Sequence, residues 1–236
     1  MNRLVKLSFI LVISTFCFGI LSTQANAQVL TKILKKMEDH RIAMTSLRSE
    51  ITMVKRENNL DEEDVYKGKV QYFSIRDKKS GKDVDALVRL DWQTPKQEMI
   101  SIIKKEFTSY DPKARQAFTG RSDSKKVGEK GGGMVKLLAN PSRDDIKSKF
   151  DVDYLGEEKL SSGIPAWHLK LTPKTKADYK YLELWIDGNG MPLQGMIVSL
   201  NSDTQTIAFT NLEKNISLSG QSFVVVLPKG ITITKV

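Results

Sequence analysis

Apolar and polar positions change period several times along the chain, and the changes divide it into elements. From Val29 to Ser46 the spacing is helical: Leu30, Ile33, Leu34, Met37 and Ile42 form one stripe that Leu47 could extend, with Lys32, Lys35, Lys36 and Glu38 opposite and Thr31 placed to cap the start. Beyond Leu47 the period falls to two, which is that of a half-buried strand. Ser49, Ile51 and Met53 alternate with Glu50, Thr52 and Val54, and Val65–Ile75 gives a second strand. Arg56–Asp64, which contains the acidic run Asp61-Glu62-Glu63-Asp64, reads as a solvated hairpin loop, and Lys78–Asp83 as a further turn. Strands are then expected at Ala86–Trp92, Glu98–Ile103, Glu106–Tyr110 and Arg115–Phe118.

The pattern breaks at Gly128-Glu129-Lys130-Gly131-Gly132-Gly133, a flexible stretch followed by one apolar helical turn, Met134–Leu138. Pro141-Ser142-Arg143-Asp144-Asp145 opens another short helix that ends near Phe150. A meander follows: Asp151–Leu155, Ala166–Leu171, Tyr179–Ile186, Leu193–Leu200, Thr204–Leu212 and Phe223–Val226. Many short strands with turns between them mean an antiparallel barrel or sandwich, not a βαβ enzyme. Trp167, Leu169 and Leu171 share a strand face, as do Leu182, Leu184 and Ile186, and Met196, Val198 and Leu200 form a third. An apolar face this wide needs a cover, and the chain offers only the first helix and the turn near Leu137. A concave sheet with a small movable cover suggests a cavity for an apolar ligand.

Composition sharpens this picture at the amino terminus. Arg3 and Lys6 precede an apolar run from Leu7 to about Leu21, and Ala25-Asn26-Ala27 is the small-x-small pattern of a signal-peptidase site. Residues 1–27 are therefore expected to be a cleaved leader and 28–236 one exported domain. The single cysteine, Cys17, leaves with the leader; Thr15-Phe16 before it does not make a lipoprotein box, so the exported chain is expected to carry no acyl group. Without cysteines a packed core must hold the domain together. The formal charge of +9 falls to +7 once Arg3 and Lys6 are removed, which favours acidic partners; the lysines are scattered, and nucleic acid is not expected.

Catalytic chemistry finds little support in the residues. His40 and His168 are far apart and fit no zinc spacing. No glycine-flanked serine reads as a nucleophile, and the triple glycine has no Lys-Ser/Thr after it to make a phosphate loop.

The order of segments resembles the LolA lipoprotein-carrier family, within the LolA/LolB superfamily. Leu137-Leu138-Ala139-Asn140-Pro141 stands where that family has its short lid helix. Phe150–Glu158, Trp167–Lys174, Tyr181–Asp187, Thr206–Leu212 with Asn215, and Phe223–Gly230 follow its strands in order, and Arg89–Pro95 and Tyr110-Asp111-Pro112 look like its earlier segments. The resemblance implies a half-open, incomplete antiparallel β-barrel, mainly β with α, covered by an N-terminal helix and a lid helix. It implies a carrier, without catalytic residues, cofactor or metal, that takes acylated lipoproteins from an inner-membrane lipoprotein-releasing transporter to an outer-membrane acceptor. A monomer is expected. A carrier of free lipid or an envelope-stress lipoprotein sensor is the alternative, because both can use this fold. The apolar cavity is expected to be lined by Trp92, Trp167, Leu169, Leu171, Leu182, Leu184, Ile186 and Phe209, with Met134, Val135, Leu137 and Leu138 as lid. Two departures stand out: Lys104-Lys105 replaces the usual Asp-Gly, and Asp83-Val84-Asp85 stands where the family has its lid-latching arginine, so that latch is not expected.

Overall fold

The computed structural model describes residues 26–60, 62–77, 83–123 and 125–236. The expected leader lies outside these residues apart from its last two positions, and so does most of the turn expected at Lys78–Asp83. Helix α1 covers 26–43. Its Ile33, Leu34 and Met37 are buried, whereas Ile42 is 54% exposed. The expected stripe thus ends a turn early, because Ser46 and Leu47 already belong to β1, Ser46–Arg56. Thr31 lies inside the helix, where its hydroxyl donates to the Ala27 carbonyl instead of capping the end.

The strands that follow are β2 Glu63–Arg76, β3 Asp83–Thr94, β4 Glu98–Ile103, β5 Glu106–Asp111 and β6 Gln116–Arg121. Three short helices intervene: α2 Lys125–Glu129, α3 Gly132–Ala139 and α4 Arg143–Lys149. Then come β7 Phe150–Lys159, β8 Pro165–Pro173, β9 Tyr179–Ile186, β10 Pro192–Ser199, β11 Thr204–Lys214 and β12 Thr232–Lys235. Most of these boundaries fall within two residues of those expected from the alternation of apolar and polar positions.

All twelve strands belong to one sheet, in the order β12-β6-β5-β4-β3-β2-β1-β11-β10-β9-β8-β7. Neighbours are antiparallel except β12, which runs parallel to β6. The sheet does not close: β12 and β7 remain as edges, and α2–α4 belong to the connection between β6 and β7. This is the half-open barrel expected from the sequence, with helices over its concave face.

Three expectations are corrected. Phe223–Val226 is not a strand: Gly220–Phe223 forms a 3₁₀ turn, and the segment after it is a strap on the outer face. Phe223 is fully buried there, and its carbonyl accepts from the Ser101 hydroxyl at 2.5 Å. Arg89, itself paired with Asp91 at 2.6 Å, donates to the Val224 carbonyl at 3.0 Å. Side chains of the sheet, not a strand ladder, hold these two strap carbonyls. The terminal strand is β12 instead, four residues that lacked enough pattern to be read. Met196, Val198 and Leu200 are not on the inward face: Ile197 and Gly195 stand opposite inward Leu182 and Leu184, which turns Met196 and Val198 to the other side of the sheet, where Val198 is buried, and Leu200, just past β10, is 60% exposed. Finally, the glycine-rich stretch at 128–133 is ordered into the end of α2 and the start of α3.

The replacement of Asp-Gly by Lys104-Lys105 changes the cost of a turn, not its shape. Both lysines lie at positive φ, 51° and 64°, in the two-residue turn between β4 and β5. That is the conformation for which glycine and asparagine are preferred, and a lysine holds it at a cost of about 1 kcal/mol each.

Candidate functional site

The inward face can be followed residue by residue across the sheet, because opposed residues of antiparallel strands share a face. One row runs Tyr154, Leu169, Leu184, Gly195, Ile207, Met53, Tyr66. A second passes through Leu171, Leu182 and Ile197, and a third pairs Trp167 with Ile186. A fourth runs Phe209, Ile51, Gly68, Trp92, Glu98. All eight residues expected to line a cavity therefore lie on one continuous face. Leu169, Leu171, Leu182, Leu184, Ile186, Trp92 and Phe209 are buried in the main core, and Trp167 is half-buried against it.

Helix α3 lies on the centre of that face. Its Met134, Val135 and Leu138 are buried in the same cluster, and Leu137 packs against it half-buried. The seat is made by Gly195. A Cβ at this position would stand 2.5 Å from Met134 Sδ, 3.1 Å from Leu138 Cδ2 and 3.3 Å from Leu184 Cδ2, so the absent side chain is what lets the helix settle on the strand. Gly131, which leads into α3, has φ 83° and would place a Cβ 2.7 Å from Ile207 Cδ1; only glycine meets both demands. The space enclosed by the expected lining is filled by the side chains of α1 and α3. The site as it stands is apolar, and closed over itself.

Polar contacts hold both ends of the cover. At its start, Lys130 pairs with Glu98, a carboxylate only 7% exposed that also accepts from the Ser109 hydroxyl at 2.5 Å. The Trp92 indole N–H donates to the Lys130 carbonyl at 3.3 Å, and the Gln205 amide donates to the Gly128 carbonyl at 3.4 Å. At its end, the first backbone N–H of α4, that of Arg143, donates to Glu38 of α1 at 3.0 Å. Glu38 accepts from Arg41 at 2.5 Å, Arg41 pairs with Asp83, and Asp83 also takes Arg76 at 3.0 Å and the Ser74 hydroxyl. The Arg41 guanidinium holds the Glu38 carboxyl below the ordinary carboxylate range, against the opposing effect of burial. Asp83, noted in the sequence only as standing where an arginine was expected, is thus the centre of a network joining α1, β2 and β3. The links that join separate elements, Glu98 to Lys130, Arg41 to Asp83 and Glu38 to Arg143, were not legible from spacing because their partners lie tens of residues apart; the Glu38–Arg41 pair within α1 has ordinary i,i+3 helical spacing.

The histidines do not come together. His40 is on α1, with its Nε2 buried and unpaired, and His168 lies on the outer face of β8 with its ring nitrogens 2.9 and 3.0 Å from the carboxylates of Glu158 and Glu183. The His168 ring stacks on Trp185 at 4.2 Å, whose indole also donates to Glu158. Among the described residues, no group of three or more His, Cys, Asp or Glu is placed to hold a metal ion, and no helix is long and apolar enough to cross a membrane.

The sequence model of the family described as "Outer membrane lipoprotein carrier protein LolA" matches residues 85–226, from within β3 to the outer strap. The chain belongs to the LolA family. The match takes in the lid, its seat on Gly195 and all of the expected lining, and leaves out α1, β1, β2 and β12. No curated protein matches the chain. Among solved structures, a DUF1329-family protein from Desulfovibrio piger is similar with a TM-score of 0.51 at 14% identity, over 84% of this chain and 97% of that one. A conserved protein from Thermus thermophilus gives 0.51 at 14% identity over 88% and 99%. MucB gives 0.51 at 12% identity over 86% of this chain and 64% of its own length. At these identities the likeness is one of fold.

Proposed function

We propose that the chain is an exported, periplasmic LolA-type carrier and not an enzyme. It binds the acyl chains of lipoproteins beneath α3 and moves them from the inner to the outer membrane. The observation that supports this best is the seat of the cover. An eight-residue helix, joined by Gly131 and held at its ends by polar contacts, closes an apolar face that spans the sheet from β8 to β3, and the sheet beside it is unclosed. A permanent core would not need so short and separately fastened a piece.

The energetics fit a transfer role. An acyl chain offers roughly 0.8 kcal/mol per buried methylene, so about 14 methylenes bring on the order of 11 kcal/mol. An open pocket keeping all of that would not release its cargo. Because Met134, Val135 and Leu138 already cover the surface, entry of a chain must displace them, and the net affinity falls by what their burial contributed.

The test is mass spectrometry of what copurifies with the protein from envelope extracts, with release of lipoproteins from inner-membrane vesicles measured in parallel. Copurifying lipoproteins and stimulated release are expected. Free phospholipid alone would favour the free-lipid carrier, and no acylated species in either assay would end both readings.

A further inference from the structure

At the mouth of the barrel the inward face stops being apolar. Along β1 the inward positions run Leu47, Ser49, Ile51, Met53 and then Lys55, so a mainly apolar track ends in a cation. Lys55 stands beside a cavity of about 190 Å³ whose wall includes Met53, Tyr66, Trp92, Lys96 and Lys130. Glu98 and Glu129 complete its lining, which makes three ammonium groups against two carboxylates. Two of the three lysines are committed: Lys130 to Glu98, and Lys96 to Asp111 at 3.4 Å. Among the described residues Lys55 has no ion pair. Its ammonium lies over the Tyr66 ring, 5.3 Å from the centroid, and that ring meets Trp92 edge to face at 6.0 Å. Burial pushes the Lys55 pKa down; Glu129 opposes this, Lys130 adds to it, and Asp64 and Glu98 act with Glu129.

We propose that this vestibule is an anionic-headgroup subsite: a single-chain amphiphile ending in a carboxylate or phosphate places its charge on Lys55 and its tail along the Met53–Ile51 track beneath α3. The inference rests on the carrier reading and adds to it a preference for charge. An anion here meets a half-buried ammonium that Glu129, Glu98 and its cross-strand neighbour Asp64 influence without pairing with it, between aromatic walls that exclude water and strengthen the contact. Its position beside Lys130 also lets it compete with Glu98 for the lysine that holds the cover, so that headgroup binding and lid release are coupled. A lipoprotein's neutral acyl groups would use the same track without this contact.

The experiment titrates the protein, below the micelle concentration, with hexadecanoate, monohexadecyl phosphate and uncharged methyl hexadecanoate, following tryptophan fluorescence. Both anions should bind roughly tenfold tighter than the ester, the worth of one charge-assisted hydrogen bond. Lys55→Gln should remove that preference while leaving ester binding unchanged, which also shows that the variant is folded. Lys69→Gln, on the outer face of β2, should keep the preference. Equal binding of anions and ester by the unaltered protein overturns the proposal, as does a preference that survives Lys55→Gln. Competition by acetate or inorganic phosphate at equal concentration overturns it too, since the site would then serve small anions. If no acyl compound binds, charged or neutral, it is the carrier reading that fails, and the headgroup site falls with it.

Discussion

The floor beneath α3 and the rim around Lys130 are built from opposite chemistry and hold the same helix. The floor is apolar and shaped by an absence, the missing side chain of Gly195, and its contacts are many and undirected. The rim is polar and specific: Glu98, Lys130 and Trp92 at one end, Glu38 and the Arg143 N–H at the other. Dispersion and burial on the floor can be exchanged almost one for one with an acyl chain, since one hydrocarbon replaces another. Hydrocarbon that separated the Lys130–Glu98 pair would leave both charges without a partner. In the proposed carrier, the floor therefore sets how much affinity is available, and the rim sets when the cover opens.

Breaking the floor should have the largest effect. Leu169 is fully buried at its centre, and Leu169→Glu puts a carboxyl among the chains. It should abolish binding of a fluorescent fatty-acid probe and lower stability by on the order of 4 kcal/mol in urea unfolding. If the variant does not fold, Leu169→Ala tests the same position at about 3 kcal/mol. Wild-type probe binding by either would mean that the inward face carries no ligand. Gly195→Val comes next. Overpacking against Met134 and Leu138 should cost about 2 kcal/mol and lift α3, seen as faster hydrogen exchange in 132–139 than in β10.

The cover itself can be weakened from its own side. Leu137→Ser with Leu138→Ser should destabilise the closed empty state and raise retention of acylated cargo, measured as slower transfer to acceptor vesicles. Faster transfer would show that these residues hold cargo and not the closed state.

The rim should respond more gently. Glu98→Gln keeps the shape and can keep the Ser109 contact but loses the pairing with Lys130; opening of the cover should become easier by about 2 kcal/mol, read from exchange of the 125–139 amides. At the far end the effect is one of pH. The Glu38 carboxyl is depressed by Arg41, so its folded pKa lies below the unfolded one. The stability it contributes is present above the unfolded pKa and is lost as pH falls through the folded one. Acid should therefore loosen the α1–α4 junction first, and Glu38→Gln should flatten that part of the melting-temperature profile. An unchanged profile would remove Glu38 from the fastening.

How much of this was legible depended on the length of the pattern. Strands such as Glu98–Ile103 and Tyr179–Ile186 were read to the residue because alternation ran for three or more repeats. The face containing Leu169, Leu171, Leu182 and Leu184 followed from the same alternation. The Met196, Val198 and Leu200 face was misread because both faces of β10 carry apolar residues, and register is then set by Gly195, which no hydropathy pattern counts. Phe223–Val226 looked like a strand for a similar reason: an apolar run shows burial but not what it is buried against.

The sequence by itself determined the period of most elements, an antiparallel β meander with a short helical cover, and the set of apolar residues that meet beneath it; the half-open barrel was what the family resemblance implied. The first three are consequences of alternation and turn chemistry, which act between near neighbours in the chain. Only the tertiary structure decided that the face is closed by its own helices, that Gly195 is their seat, that Asp83 and Glu98 anchor the fastenings, and that Lys55 ends the track. Each of these depends on groups separated by tens of residues and brought within a few ångströms by the register of the sheet, a distance across which no local pattern carries information.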